Sequence, residues 1–285
     1  MRVAYLGPPG TNSHAALVAS GSAAEPVAIG TVGAVVAAVQ AGECELGLVP
    51  LENSREGSVV ATLDALVFDA PDVVLVGELV HRIRYCLCAG SVLEPAAVRT
   101  VHSHPQATAQ CAVWLGERVP GAAVVAEPST ADAVRAVAGG NELAGMPPHA
   151  AIGTRHAAAL YGAAVLAEDI EDDPENATRF AWIARTGTSP DQDRAPGRPV
   201  KTALVFWGGG DEEPGWLVDC LTEFASRAIN LTRIESRPRR VGLGHYMFFC
   251  DLDGPAADPS VGEAIAGLRS RCEAVRVLGS FPAAA

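Results

Sequence analysis

The segment Glu175-Asn176-Ala177-Thr178-Arg179-Phe180 sets a carboxamide, a hydroxyl and a guanidinium within four residues, beside an aromatic ring. Such a set can hold an anion and present a hydrogen-bond donor to it. Three other polar turns carry groups of the same kind: Thr11 and Ser13, Asn53 and Ser54, and His104 with Gln106. Read alone, each is an ordinary turn. Thr11 or Ser13 caps a helix, Asn53 and Ser54 are turn formers, and His104 fixes a bend. Capping side chains and free backbone N–H groups together also make an anion site, so the two roles are compatible. His102 and His104 flank Ser103, but no carboxylate or sulfur ligand stands near them in the chain to complete a metal site. Arg82 and Arg84 read either as one exposed strand face or as cations reaching a cleft.

These turns need elements to hold them. Short apolar runs at Val3–Leu6, Val27–Ile29, Leu46–Val49, Val73–Val76, Val98–Val101 and Val124–Ala126 predict strands. Four polar turns, Gly7–Ser13, Glu52–Ser58, Ser103–Gln106 and Pro128–Thr130, each lead from a strand into an Ala- or Val-rich helical stretch. That alternation predicts parallel α/β sheets. Ligands of such sheets bind beyond the carboxyl ends of the strands, so four such turns predict a cleft lined from several sides. Residues 186–199 are polar and rich in Pro and Gly, and predict a linker. Beyond it the pattern predicts strand Thr202–Trp207, helix Gly215–Arg227, strands Ile229–Ile234 and His245–Asp251, helix Pro259–Arg271 and strand Ala274–Leu278. That order is βαββαβ, the ferredoxin-like pattern.

The 285 residues suit two domains, and 49% hydrophobic residues are ample for their cores. A net charge of −12 argues against nucleic acid as a partner. No apolar run reaches the length that spans a bilayer, so no membrane role is expected. The first residues lead directly into Val3-Ala4-Tyr5-Leu6 without a signal-peptide pattern, and a cytoplasmic location is expected. The seven cysteines show no C-x-x-C spacing and read as free buried thiols rather than zinc ligands. Lys201 is the one lysine, which disfavours Schiff-base chemistry in the first domain. No Walker or dinucleotide-binding glycine motif is present, and neither a metal nor an organic cofactor is expected.

Five segments, in this order, resemble the prephenate dehydratase family: Tyr5-Leu6-Gly7-Pro8-Pro9-Gly10-Thr11, Val49-Pro50-Leu51-Glu52-Asn53-Ser54, Ser103-His104-Pro105-Gln106-Ala107, Asn176-Ala177-Thr178-Arg179-Phe180 and Glu235-Ser236-Arg237-Pro238. The resemblance implies a two-lobed catalytic domain, like a periplasmic binding protein, over residues 1–185, with an inserted lobe at about 80–155. A linker at 186–199 and a ferredoxin-like ACT regulatory domain over 200–285 follow. It implies that Thr178 is catalytic and that Thr11, Ser13, Asn53, Ser54, His104, Asn176, Arg179 and Phe180 bind prephenate. It further implies an amino-acid effector, phenylalanine, held by Gly215, Trp216, Leu217, Asn230, Leu231, Glu235, Ser236 and Arg237, and a homodimer or homotetramer built through ACT domains.

Two residues depart from the family pattern. Asn12 stands where an aromatic residue is usual, which implies a more polar pocket. Trp216 replaces a small residue at the start of the effector helix; its ring either fills the effector pocket or turns away to a subunit interface. The alternatives to decarboxylating dehydration of prephenate are an arogenate dehydratase, a prephenate decarboxylase of a natural-product pathway and a non-catalytic amino-acid sensor. The presence of Thr178 argues against the decarboxylase, whose members are expected to lack that hydroxyl.

Overall fold

The computed structural model describes residues 1–139, 148–188, 198–210 and 213–284. The chain opens with β1 (Arg2–Leu6), α1 (Asn12–Ala19), β2 (Glu25–Ile29), α2 (Val32–Gln40), β3 (Leu46–Asn53), β4 (Gly57–Ser58), α3 (Val60–Asp64) and β5 (Val73–Arg82). It then crosses to a second lobe: β6 (Cys86–Ala89), β7 (Thr100–Ser103), α4 (Pro105–Ala109), α5 (Ala112–Arg118), β8 (Ala123–Ala126), α6 (Thr130–Ala138), β9 (His149–Gly153), α7 (Arg155–Tyr161) and β10 (Ala164–Glu168). It returns as β11 (Ala177–Arg185). Local chemistry starts the helices. The hydroxyls of Thr11, Thr31, Ser129 and Thr154 each accept a backbone N–H at the first turn of α1, α2, α6 and α7. Val32, Val35, Val36 and Val39 recur at helical spacing and bury one face of α2.

The first sheet has six strands in the order β2-β1-β3-β11-β5, with β4 paired to β3. β1 runs parallel to β2 and β3, whereas β11 is antiparallel to both its neighbours. The second sheet, β10-β6-β9-β7-β8, is also mixed. The expectation of purely parallel sheets is thus corrected, because the two crossover segments enter and leave the second lobe side by side in opposite directions. Ile83 donates its N–H to the Asn176 carbonyl (2.8 Å) and Ile170 to that of Tyr85 (3.2 Å) along this double crossing. The second lobe also extends beyond residue 155, since β10 pairs with β6.

Beyond β11 come β12 (Val200–Trp207), α8 (Trp216–Ala225), β13 (Leu231–Pro238), β14 (Tyr246–Asp253), α9 (Pro259–Arg271) and β15 (Ala274–Pro282). They form a four-stranded antiparallel sheet, β13-β14-β12-β15, in the ferredoxin-like βαββαβ order. Residues 189–197 of the expected linker lie outside the described residues. Strand alternation gives this sheet two apolar faces. Leu204, Phe206 and Leu252 pack under α8 and α9 with Cys220, Phe224, Ile265 and Leu268. Ala203, Val205, Met247, Phe249, Leu278 and Phe281 pack instead against Leu51, Leu63, Leu66, Val73 and Leu75 of the first lobe. Gly279, at φ +152°, lets β15 lie on β5, since a Cβ there would collide with the Leu75 carbonyl. Arg276 closes the same seam by donating to the carbonyls of Leu66, Ala70 and Val73 at 2.7–3.0 Å. Among the described residues, no helix is long and apolar enough to cross a membrane.

Candidate active site

Thr178 lies on β11, directly paired with Asn53 of β3 on one side and His81 of β5 on the other. Cross-strand partners share a face, so the three side chains form one row. The Asn53 amide orientation is fixed by its surroundings. Its Oδ1 accepts the backbone N–H groups of Arg55 (2.9 Å) and Glu56 (3.1 Å), so its Nδ2 faces the row. That nitrogen donates to Thr178 Oγ1 and Asn176 Oδ1, both at 3.0 Å, and lies 3.2 Å from the Ala177 carbonyl. Asn176 passes the chain on, donating through Nδ2 to Gln110 Oε1 of the second lobe at 2.9 Å. Asn53, Asn176, Thr178 and Gln110 are all buried. Because Thr178 accepts from Asn53, its own O–H is left to donate. An accepted bond polarises the hydroxyl and strengthens it as a donor.

Ser54 completes the turn: its Oγ accepts the N–H of Ala177 (3.0 Å) and its own N–H donates to the Ala177 carbonyl (2.9 Å). At the other side, Asn12 opens α1 and donates to the Tyr85 hydroxyl at 3.3 Å, while its buried Oδ1 has no partner among the described residues. Burial pushes the Tyr85 phenol up to about 12, so it stays a protonated donor at neutral pH. Burial also holds the His81 imidazole below its ordinary range, which keeps it neutral there. The second lobe closes onto the first turn through α7. Thr154 Oγ1 donates to the Gly10 carbonyl (2.9 Å) and the Tyr161 hydroxyl to that of Pro9 (2.6 Å). His14 Nδ1 accepts the Gly10 N–H at 3.0 Å and lies 3.1 Å from His156 Nε2.

Two expected substrate-binding residues, Arg179 and Phe180, lie elsewhere. Arg179 does not face the row: its guanidinium bonds to Glu78 and Asp251 under the C-terminal sheet. Adjacent strand residues point to opposite faces, so the neighbour of Thr178 in sequence is its opposite in space. Phe180 is core, packed with Val3, Tyr5, Leu46 and Leu48. The Thr11 hydroxyl is engaged within its turn, donating to the Leu6 carbonyl (2.8 Å) and accepting from His14, while Ser13 is buried in α1. His104 caps α4 by accepting the Gln106 N–H at 3.3 Å. Arg82 and Arg84 pair with Glu175 and Glu171 along the double crossing. His102 sits between Glu127 and His149. Sequence reasoning missed Gln110, Tyr85 and His81, whose places follow from pairings between distant segments.

In the C-terminal domain, Gly215, Trp216 and Leu217 line a cavity of about 180 Å³ with Glu213, Val218, Gly244, Tyr246 and Phe248. Trp216 turns into its own core, contrary to both expectations for it. Its ring lies 6.1 Å from Phe206 and 6.0 Å from Phe248, and its Nε1–H donates to the Arg271 carbonyl at 3.0 Å. It forms one wall of the cavity. Asn230 pairs with Asp253, at 3.0 Å. Along β13 the faces divide. Leu231, Arg233, Glu235 and Arg237 are half-buried, whereas Thr232, Ile234, Ser236 and Pro238 are exposed. Glu235 accepts from Ser58 (3.2 Å) and Arg237 donates to Asp64 (3.2 Å), so these two expected effector ligands face the first lobe instead.

The family model described as prephenate dehydratase matches residues 3–188. A curated prephenate dehydratase of Mycolicibacterium vanbaalenii is 39% identical, over 98% of this chain and 90% of its own. A crystal structure of the Arthrobacter aurescens prephenate dehydratase, solved in complex with L-Phe, is 38% identical. It superposes with a TM-score of 0.86 over 99% of this chain and 90% of that one. A solved structure described as a novel type of quorum-quenching acylase is 29% identical, with a TM-score of 0.84 over 99% of this chain and 98% of that one. With Asn53 joining Thr178 and Asn176 in a buried network between two lobes and a βαββαβ domain behind it, the chain belongs to the prephenate dehydratase family.

Proposed function

We propose that the chain converts prephenate to phenylpyruvate, carbon dioxide and water at Thr178, as the last branch of phenylalanine biosynthesis in the cytoplasm. The observation that supports this most is the hydrogen bond from Asn53 to Thr178 Oγ1, which leaves the threonine O–H as a donor in a buried row. Prephenate carries a carboxylate and a hydroxyl on opposite sides of its ring. As the carboxylate carbon leaves as CO2, its bonding pair moves into the ring, and the ring C–O bond breaks toward oxygen. Aromatisation supplies the driving force, and hydroxide is the poor leaving group. Threonine is too weak an acid to surrender its proton outright, so its O–H stabilises the departing oxygen by a hydrogen bond that strengthens as charge develops, and the released hydroxide takes its proton from solvent to leave as water. The N-terminus of α1, with no acid in its first turn, offers a positive dipole end to a substrate carboxylate. Thr11 and Ser13 act there through the turn and helix that they build. No step calls for a metal or an organic cofactor.

Phenylalanine is the effector in this reading, bound at the cavity beside Gly215, Trp216 and Leu217, and feedback inhibition is the expected sign. Subunits pair through the exposed edge of β13, where Ile234 is 47% exposed. Catalysis belongs to 1–185 and regulation to 200–285, with 186–199 between them. The deciding experiment follows phenylpyruvate by ultraviolet absorbance with prephenate as substrate, and runs arogenate and an N-acyl amide in parallel. Turnover of prephenate supports the reading. Preference for arogenate, hydrolysis of the amide alone, or no turnover of any of them overturns it.

A further inference from the structure

Arg179, one residue from Thr178, is bound into the other domain. Its Nη1 donates to Asp251 Oδ2 at 2.6 Å and its Nε to Glu78 Oε2 at 2.7 Å, with Glu52 3.5 Å from Nη1. Asp251 is fully buried on β14 and takes a second guanidinium, that of Arg233, through Nε at 3.1 Å and Nη2 at 3.4 Å. Arg233 stands opposite Asp251 in the β13–β14 register. Glu78 in turn takes Lys201 Nζ at 2.9 Å and the N–H of Ala284 at 2.7 Å. Three cations thus face three carboxylates at one point of the seam. Arg179 Nη2 and Arg233 Nη1 have no partner among the described residues.

Such a cluster is a poor way to gain stability. Desolvating the charges offsets their attraction, and apolar residues of the same size hold a seam equally well. What it does supply is a sharply defined position, because displacing one member strands a buried charge. Its two ends lie at informative places. On the catalytic side, the β11–β3 register shifts between Arg179 and Phe180, and Glu52 is the chain neighbour of Asn53. On the other side is β13, whose outward residues Thr232, Ile234 and Ser236 are exposed and whose inward residues grip the first lobe. A ligand or subunit that shifts β13 moves Arg233 and reaches Asp251 through it.

We propose that Asp251, shared by Arg179 and Arg233, is the joint through which the state of the C-terminal domain sets the position of Thr178. Arg179 and Asp251 are positioning residues for the dehydration. This rests on the reading above, in which phenylalanine binds the C-terminal domain and turnover occurs at Thr178. A bound ligand can shift the protein only through a state it prefers, and the cluster gives the two domains that shared state.

The test measures three quantities on each full-length variant: kcat and KM for prephenate, phenylalanine affinity by calorimetry, and the fold inhibition at saturating phenylalanine. Asp251→Asn cuts the joint. The triple variant Arg179→Met, Asp251→Leu and Arg233→Met removes every charge of the joint at similar volume, and so stays informative where the single variant fails to fold. Asp64→Asn loosens the same seam at Arg237 and leaves the joint intact. The joint predicts that both joint variants bind phenylalanine within about threefold of wild type, respond less than about twofold, and lose kcat more than KM, whereas Asp64→Asn keeps the wild-type response. Normal binding with undiminished inhibition in the triple variant overturns the joint alone. Equal loss of response in Asp64→Asn also overturns it, since any loosening of the seam would then suffice. A wild type that turns over prephenate but does not bind phenylalanine overturns the regulatory reading and the joint with it, and no turnover in the wild type overturns the catalytic reading.

Discussion

Asn53 and Thr178 are direct partners in the β3–β11 register, joined by a 3.0 Å hydrogen bond in which the asparagine donates. The threonine O–H is therefore left as a donor, which is the role the proposed dehydration asks of it.

Thr178→Ala is expected to lower kcat by roughly 10²–10⁴-fold, the range for positioned acid–base help, with Thr178→Ser keeping much of the activity. Asn53→Ala removes the orienting bond and is expected to lower kcat by about 10–100-fold, in line with one hydrogen bond realised in the transition state. Steady-state kinetics on the three variants decides this, and near-normal kcat in Thr178→Ala sinks the catalytic assignment.

The contact between His14 and His156 makes stability depend on pH. Burial lowers the affinity of both rings for a proton, His14 further through the neighbouring His156, so the folded state holds them neutral. A histidine whose folded value lies below the unfolded one, near 6.5, contributes fully above that value. The contribution is lost as pH falls toward the folded value, because the unfolded chain binds the proton better. Urea midpoints should fall between pH 7.5 and 5.5, and His156→Gln should flatten part of that slope. An unchanged slope in the variant would remove the pair as the cause.

Gly279→Ala should destabilise the protein by roughly 2–3 kcal/mol, from a left-handed φ and a Cβ set against the Leu75 carbonyl. Gly30→Ala, with open space around it, is the control and should stay within about 0.5 kcal/mol. Denaturant unfolding of both compares them directly.

Trp216 is expected to support the effector cavity rather than block it, since its indole packs on Phe206 and Phe248. Wild type should bind phenylalanine in a calorimetric titration. Trp216→Ala should weaken that binding and cost about 3–5 kcal/mol of stability, the usual range for an excised core aromatic. Binding gained only in the variant would show that the ring obstructs the site.

The sequence made the order of the C-terminal domain and its two helices legible, because each of its six elements carries its own period and its own turn, although β13 and β15 run on to Pro238 and Pro282, past their expected ends. The first region was less so. The polar turns around Thr11, Asn53 and His104 stand out, and so does Thr178, but pairing of β11 between β3 and β5 joins residues 95 or more positions apart. No local period encodes that. Hence His81, Gln110 and Asp251 escaped notice, although each stands beside a residue that did not. Arg179 shows the opposite error. It was grouped with Thr178 by proximity in the chain, although strand alternation alone assigns the two to opposite faces.

The second apolar face of the C-terminal sheet has a consequence for the history of the protein. Leu66, Val73 and Leu75 are sheltered by Val205, Phe249, Leu278 and Phe281, so the C-terminal domain is also the roof of the first lobe. A chain cut at residue 188 would bare that wall and is expected to self-associate during gel filtration. A lineage could not discard the C-terminal domain by simple deletion. It would first have to repaint the uncovered wall with polar side chains, and until then the C-terminal domain and solubility are inherited together.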